Sequence, residues 1–384
     1  MRLFPLITSL AVLALAAAPP AEARHVRVDL GACRAAGALM TAMRAGAPHD
    51  SVRAAIERLL ETPGYRVMFR HYNRSWRPNH LPPAVFERMI LSLEFPAEYR
   101  VGENERADSM RVRWRAAYDD LPGYERRLRQ LEGARLSALI ARGVRYAQRW
   151  LPPGWTIPDF TLIVQPQGGS PAFSIDGAQG YDFLQLPCSP AGDLDLDWLV
   201  GTIAHESNHL GMRSRELRAS SPADSVAYAL VSLCIAEGVA TEFISGPPAG
   251  LAPAVPGVPF HIFTPALAAA WTARVGEEPE MFTHMAALLE RAVHGALTQP
   301  ELEAEMRGYW FEGAIGRAYV FGSEIFGAIE LGLGRKAVYE AIEDPRRLFE
   351  LYDRALDRRP DRLGRCVRMP ESTVREALAI GQAR

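Results

Sequence analysis

The chain has 384 residues, 48% of them hydrophobic, and a formal net charge of −2. That length and composition allow a sizeable buried core, as one large domain or two modest ones. The near-neutral balance speaks against a nucleic-acid partner held through its phosphates, and the four cysteines include no Cys-x-x-Cys pair for a thiolate metal site.

At the start of the chain, Arg2 precedes an apolar stretch from Leu3 to Ala18, and Ala21-Glu22-Ala23 supplies a small-x-small cleavage site. This pattern predicts a secretory signal peptide over residues 1–23, and Pro5, Pro19 and Pro20 disfavour a spanning helix. Cleavage there would leave residues 24–384, with no further segment of membrane-spanning length and no cysteine at the cut to carry a lipid. The expected location is therefore periplasmic or secreted. In such an oxidising setting Cys33, Cys188, Cys234 and Cys366 are expected to form at least one disulfide, with Cys33–Cys366 one candidate pairing.

Residues 24–150 read as a helical region. In "SVRAAIERLLETPGY", Val52, Ile56, Leu59 and Leu60 recur at helical spacing until Pro63-Gly64. "YERRLRQLEGARLSALIARGVRYAQRW" continues the pattern with Leu128, Leu131, Leu136, Leu139, Ile140 and Val144, its arginines reading as a solvated face. The region is either a removable pro-segment or a permanent part of the fold. The lack of a cleavage-like linker before Pro152 favours the second.

After Pro152-Pro153-Gly154 the period changes. "FTLIVQP", "PAFSID" and "GYDFLQLP", separated by Gly168-Gly169 and Gly177, predict three short strands. From Asp193 the chain is helical again, broken by "GPPAGLAPAVPGVPF". The expected fold class is α+β and mainly helical, with a small sheet before the helix that holds the most informative stretch.

That stretch is "TIAHESNHLG", residues 202–211. His205 and His209 stand four apart, so both imidazoles leave one helix face and can reach one zinc ion. Glu206 faces the same space without having to bind the metal. A third ligand is needed, and Met212 stands where a metzincin would place the glycine that precedes its third histidine by three residues. The best candidate is Glu237 in "SVAYALVSLCIAEGVATEF", whose helical neighbours Leu230, Leu233, Cys234 and Ala240 make so apolar a face that a carboxylate there needs a charge partner. His261, His284 and His294 read as packed or surface residues, and Tyr309, Trp310 and Phe311 as core.

HESNH followed by a helical "EGVA" resembles the gluzincin zinc metallopeptidases, and more closely a group of exported bacterial proteins expected to be zinc-dependent peptidases. "TPGY" at 62–65 and "YVFG" at 319–322 add weaker likeness. The resemblance implies a zincin-like catalytic region over residues 151–384, with His205, His209 and Glu237 as Zn²⁺ ligands and Glu206 as the general base for a peptide or protein substrate. Zinc with three protein ligands keeps a place for water and lowers its pKa to about 7. An edge of the small sheet, "PAFSID" or "YDFLQLP", would bind the substrate by strand addition. Tyr319 would donate to the developing oxyanion, with Tyr309 or His261 as alternatives. Thr241 stands where the thermolysin pattern has an Asp that orients a ligand histidine, which leaves that role unassigned. Two other functions are compatible with the same residues: a non-catalytic exported binding or structural protein on a zincin fold, and a zinc hydrolase acting on a non-peptide amide.

Overall fold

A computed structural model describes residues 26–74, 80–175, 177–213, 219, 221–245, 265–364 and 366–381. The expected signal peptide, the proline-rich stretch 246–260 and His261 lie outside them. A short strand β1 (Arg27–Asp29) leads into seven helices: α1 (Gly31–Arg44), α2 (His49–Leu60), α3 (Pro63–Tyr72), α4 (Pro83–Leu91), α5 (Glu105–Asp119), α6 (Leu121–Gly133) and α7 (Leu136–Gln148). Pro63 and Pro83 each open a helix, a position where the missing N–H costs nothing. The strands β2 (Thr161–Gln165), β3 (Ala172–Ile175) and β4 (Ala178–Asp182) follow, then α8 (Leu196–Arg213) and α9 (Pro222–Ala240). The chain continues as α10 (Pro265–Val275), α11 (Glu278–Val293), α12 (Gln299–Glu305), α13 (Arg317–Leu333), α14 (Arg335–Glu343), α15 (Leu348–Arg358), α16 (Pro360–Leu363) and α17 (Glu371–Leu378). The protein is mainly helical around one small mixed sheet.

The sheet order is β1-β2-β4-β3, with β1, β2 and β4 parallel and β3 antiparallel to β4. Three strands fall on the segments the sequence marks. The fourth, β1, is a three-residue piece with no legible alternation, and only its pairing with β2 makes it a strand. The last strand also starts earlier than its sequence suggests, because Phe183–Gln185 turns into a 3-10 helix capped by Asp182, whose Oδ1 accepts from the Leu184 amide at 3.0 Å. Asp182 is fully buried and also accepts from the amides of Gln167 and Gly168, which pins the loop between β2 and β3.

Between the two strands proposed as a binding edge, the topology decides. β4 is central, and β3 is the edge. Pro171 O accepts from Asp182 N, so in the antiparallel alternation the backbone groups of Ala172 and Ser174 point away from β4.

The N-terminal helices pack on this sheet and on α8. The Cys33 thiol donates to Val164 O at 3.1 Å, and Tyr72 OH donates to Gln167 Oε1 at 3.0 Å. Gly143 of α7 meets α8 so closely that a Cβ there would stand 2.8 Å from Ile203 Cγ2 and 3.0 Å from Val200 O. The expected disulfide is not formed: Cys33 and Cys234 are buried in separate helices, Cys188 is exposed in a loop, and none of the four is bonded to another. The fold gives Cys33 a carbonyl for its thiol, not a second sulfur.

Helix α9 needs a second correction. With its continuation, Pro222–Ile244 is long and apolar enough to cross a membrane by length and composition, which the sequence reading did not register. Here 67% of its most apolar window is buried inside the protein, and its apolar length serves the core.

Candidate metal centre

Helix α8 starts where Asp195 Oδ1 accepts from the Trp198 amide at 2.9 Å, and it runs through Gly211 to Arg213. Gly211 is retained inside the helix because Leu151 Cδ1 lies 2.3 Å from where its Cβ would be. Helix α9 starts on the Ser221 side chain, which accepts from the Asp224 amide, and crosses α13 at a pair of glycines. A Cβ on Gly238 would lie 2.6 Å from the Gly322 backbone. This close crossing sets the helix on which Glu237, the preceding residue, is carried.

Together the two helices bring His205, His209 and Glu237 within 4.8 Å of one another. The two Nε2 atoms are 3.0 Å apart, and Glu237 Oε2 lies 3.6 Å from His205 Nε2 and 3.5 Å from His209 Nε2. Four zinc ligands at about 2.0–2.2 Å in a tetrahedron stand about 3.3–3.5 Å from one another. The observed triangle therefore has the dimensions of one face of such a site. Glu237 Oε2 is buried with no hydrogen-bond partner, an acceptor that a cation would satisfy. The residues present fit zinc.

Electrostatics agree with that fit. Burial works to raise the Glu237 carboxyl, but the facing imidazoles of His209 and His205 override it and hold the carboxyl well below the usual range. Burial likewise works to lower His205, and Glu237, Glu206 and the Ala240 backbone together raise it. The Ala240 backbone, at the end of α9, thus lies beside His205 together with the two carboxylates. The sequence offers no Asp at Thr241, and there the Ala240 backbone is what adjoins His205. The helix changes there to a π turn, Thr241–Ser245.

The cluster lies in a cleft of about 480 Å³, lined also by Glu206, Tyr319, Phe173, Ser174 and Arg213. Glu206 is 7% exposed and has no hydrogen-bond partner among the described residues. Tyr319 stands one turn before Gly322 on α13, the helix that crosses α9. Of the aromatic trio read as core, Trp310 is fully buried, Tyr309 lies against His284 with ring centroids 4.0 Å apart, and Phe311 lines the cleft instead. His284 pairs with Glu305 at 2.9 Å, and His294 is exposed.

Several lining residues carry no signal in the sequence. His71 of α3 stacks on Phe173 of β3 at 3.8 Å, and Arg74 follows it at the rim. They reach the cleft only because α3 packs on the sheet, about 130 residues before the motif helix in the chain.

Fold and site define a mainly helical protein in which two helices bring a His-His-Glu cluster into one cleft, where it could hold a metal ion. The chain belongs to the family described as "Putative zinc dependent peptidase (DUF5700)", which it matches over residues 56–360. No curated protein and no solved structure matches it.

Proposed function

We propose that the protein is an exported, gluzincin-type zinc peptidase in which His205, His209 and Glu237 hold the ion and Glu206 is the general base. The observation that carries this is the triangle of 3.0, 3.5 and 3.6 Å that includes the orphaned Oε2 of Glu237. Family membership supports zinc-dependent peptide hydrolysis, and residues 1–23 support export to the periplasm or beyond. Its partner in this reading is a peptide or protein substrate.

Bound zinc supplies Lewis-acid polarisation of the scissile carbonyl and of a water. The remaining chemistry belongs to the chain. Glu206 takes a proton from the water and passes it to the departing amine, and a carboxylate with no competing hydrogen bond is suited to both transfers. Tyr319 donates its hydroxyl to the oxyanion that develops at the carbonyl. The outward backbone groups of Ala172 and the Ser174 N–H on β3 offer an extended peptide a strand to pair with.

The test is metal analysis and peptide hydrolysis on the chain without residues 1–23. One zinc per chain is expected, lost in His205→Ala and Glu237→Ala. Glu206→Gln is expected to keep its zinc and fold while turnover falls by about 10²- to 10⁴-fold. Zinc undiminished in Glu237→Ala, or wild-type turnover in Glu206→Gln, overturns the assignment.

A further inference from the structure

Among the described residues lining the cleft, the charged ones besides Glu206 and Glu237 are both arginines, Arg74 and Arg213. Arg213 is the last residue of α8, four positions after His209 and so about 6 Å farther along the helix axis. Its side chain does not turn back onto the final carbonyls of its own helix, the usual place for a helix-terminal cation. It crosses to the sheet, where Nη1 donates to Ser174 O at 2.9 Å.

That carbonyl is one of the outward groups of the edge strand. A guanidinium therefore occupies the spot where an added strand would place a main-chain N–H. A substrate running along β3 meets, at Ser174, a cation in place of an acceptor. Arg213 is exposed and has no carboxylate partner among the described residues. With one nitrogen anchored, the planar fork keeps further N–H donors in a fixed orientation, the geometry that binds a carboxylate through two parallel hydrogen bonds.

We propose that Arg213 is the specificity residue of this cleft: it receives a carboxylate of the peptide substrate about two residues from the scissile bond, at a strand rise of about 3.3 Å per residue. The preferred substrates are then peptides with an acidic side chain at that position, or with their C-terminal carboxylate there. The assignment rests on the peptidase reading above, which makes the cleft a peptide site.

The test uses matched peptides on the zinc-loaded protein: Glu against Gln at each position flanking the cleaved bond, and free acid against amide at the C-terminus. Cleavage is read as kcat/KM, and binding to zinc-loaded Glu206→Gln is read separately by fluorescence anisotropy. A preference of about tenfold or more for one Glu position identifies a side-chain carboxylate, and the same preference confined to the free-acid terminus identifies the chain end. In Arg213→Gln the preference should fall to near one, in Arg213→Lys it should weaken while keeping its sign, and in Arg213→Glu it should turn toward Lys-containing peptides. Equal treatment of acidic and neutral peptides in both readouts, or a preference that survives Arg213→Gln, overturns the proposal. Cleavage without charge preference sinks Arg213 and keeps the peptidase. Glu-selective binding without any cleavage keeps Arg213 and sinks the peptidase.

Discussion

Tyr319 lines the cleft and Glu242 is buried against α13, and the two lead to different expectations. Tyr319 meets Phe311 with ring centroids 5.8 Å apart. If its hydroxyl serves the oxyanion, Tyr319→Phe should lower kcat by about 10²- to 10³-fold with KM nearly unchanged, because the bond forms only in the transition state. Wild-type kcat in the folded, zinc-loaded variant would remove Tyr319 from the mechanism. Glu242 is fully buried, with Oε2 accepting from Ser323 Oγ at 2.6 Å and Oε1 unpartnered. Burial first, and then the nearby Glu324 and Glu330, push its carboxyl well above the usual value near 4.5. A group raised on folding contributes its full stability below the unfolded value and loses it as pH climbs toward the folded one, at up to about 1.4 kcal/mol per unit. Glu242→Gln keeps the shape and the acceptor for Ser323 without an ionisable group. Its melting temperature should match wild type near pH 4 and exceed it increasingly from pH 5 to 8. Parallel melting curves across that range would show that Glu242 carries no such cost.

Among the elements, α9 has the most demanding placement, because it must be apolar enough for the core and still present Glu237. Its crossing with α13 is made of backbone: a Cβ on Gly322 would stand 2.4 Å from Cys234 O and 2.7 Å from Gly238 Cα. Gly322→Val therefore forces the helices apart. Overpacking of this kind costs about 1–3 kcal/mol, and displacement of Glu237 should weaken zinc binding as well. Thermal melting together with zinc competition against a chelator reads both effects, and a variant unchanged in the two would mean that the crossing does not position the carboxylate. The following π turn is clamped from the N-terminal side, where Trp150 stacks on Phe243 at 3.9 Å and Tyr146 OH donates to Phe243 O at 3.3 Å. The turn that follows Ala240 is thus tied to α7 as well as to α9.

For the whole molecule, the question is whether residues 24–150 can leave. β1 pairs with β2, α7 packs on the motif helix, and buried residues from α1, α5 and α6 share one core cluster with those of α8, α9 and α13. The family match also begins inside α2. A chain beginning at residue 151 should therefore fail to fold as a zinc-binding unit, and limited proteolysis of the intact protein should not release an active fragment lacking the first 150 residues. A folded, hydrolytic fragment starting near residue 151 would restore the pro-segment alternative.

How much of this was readable in advance follows from the range of each interaction. His205, Glu206 and His209 share a face because of the helix period alone, and Glu237 stood out because a carboxylate among Leu230, Leu233 and Cys234 conflicts with its local surroundings. Three of the four strands were visible as short β-rich runs between glycine turns, for the same local reason. β1, the edge position of β3, the anchoring of Arg213 on Ser174, the stacking of His71 on Phe173 and the Ala240 backbone beside His205 all join residues far apart in the chain. No period or spacing encodes such pairs. They depend on which surfaces the helices and the sheet bury against each other, and so does the fate of the cysteines, which packing keeps in separate places. Local backbone geometry placed the candidate ligands on their two helices, whereas the packing of the entire core determined that those helices meet and what else faces the cleft between them.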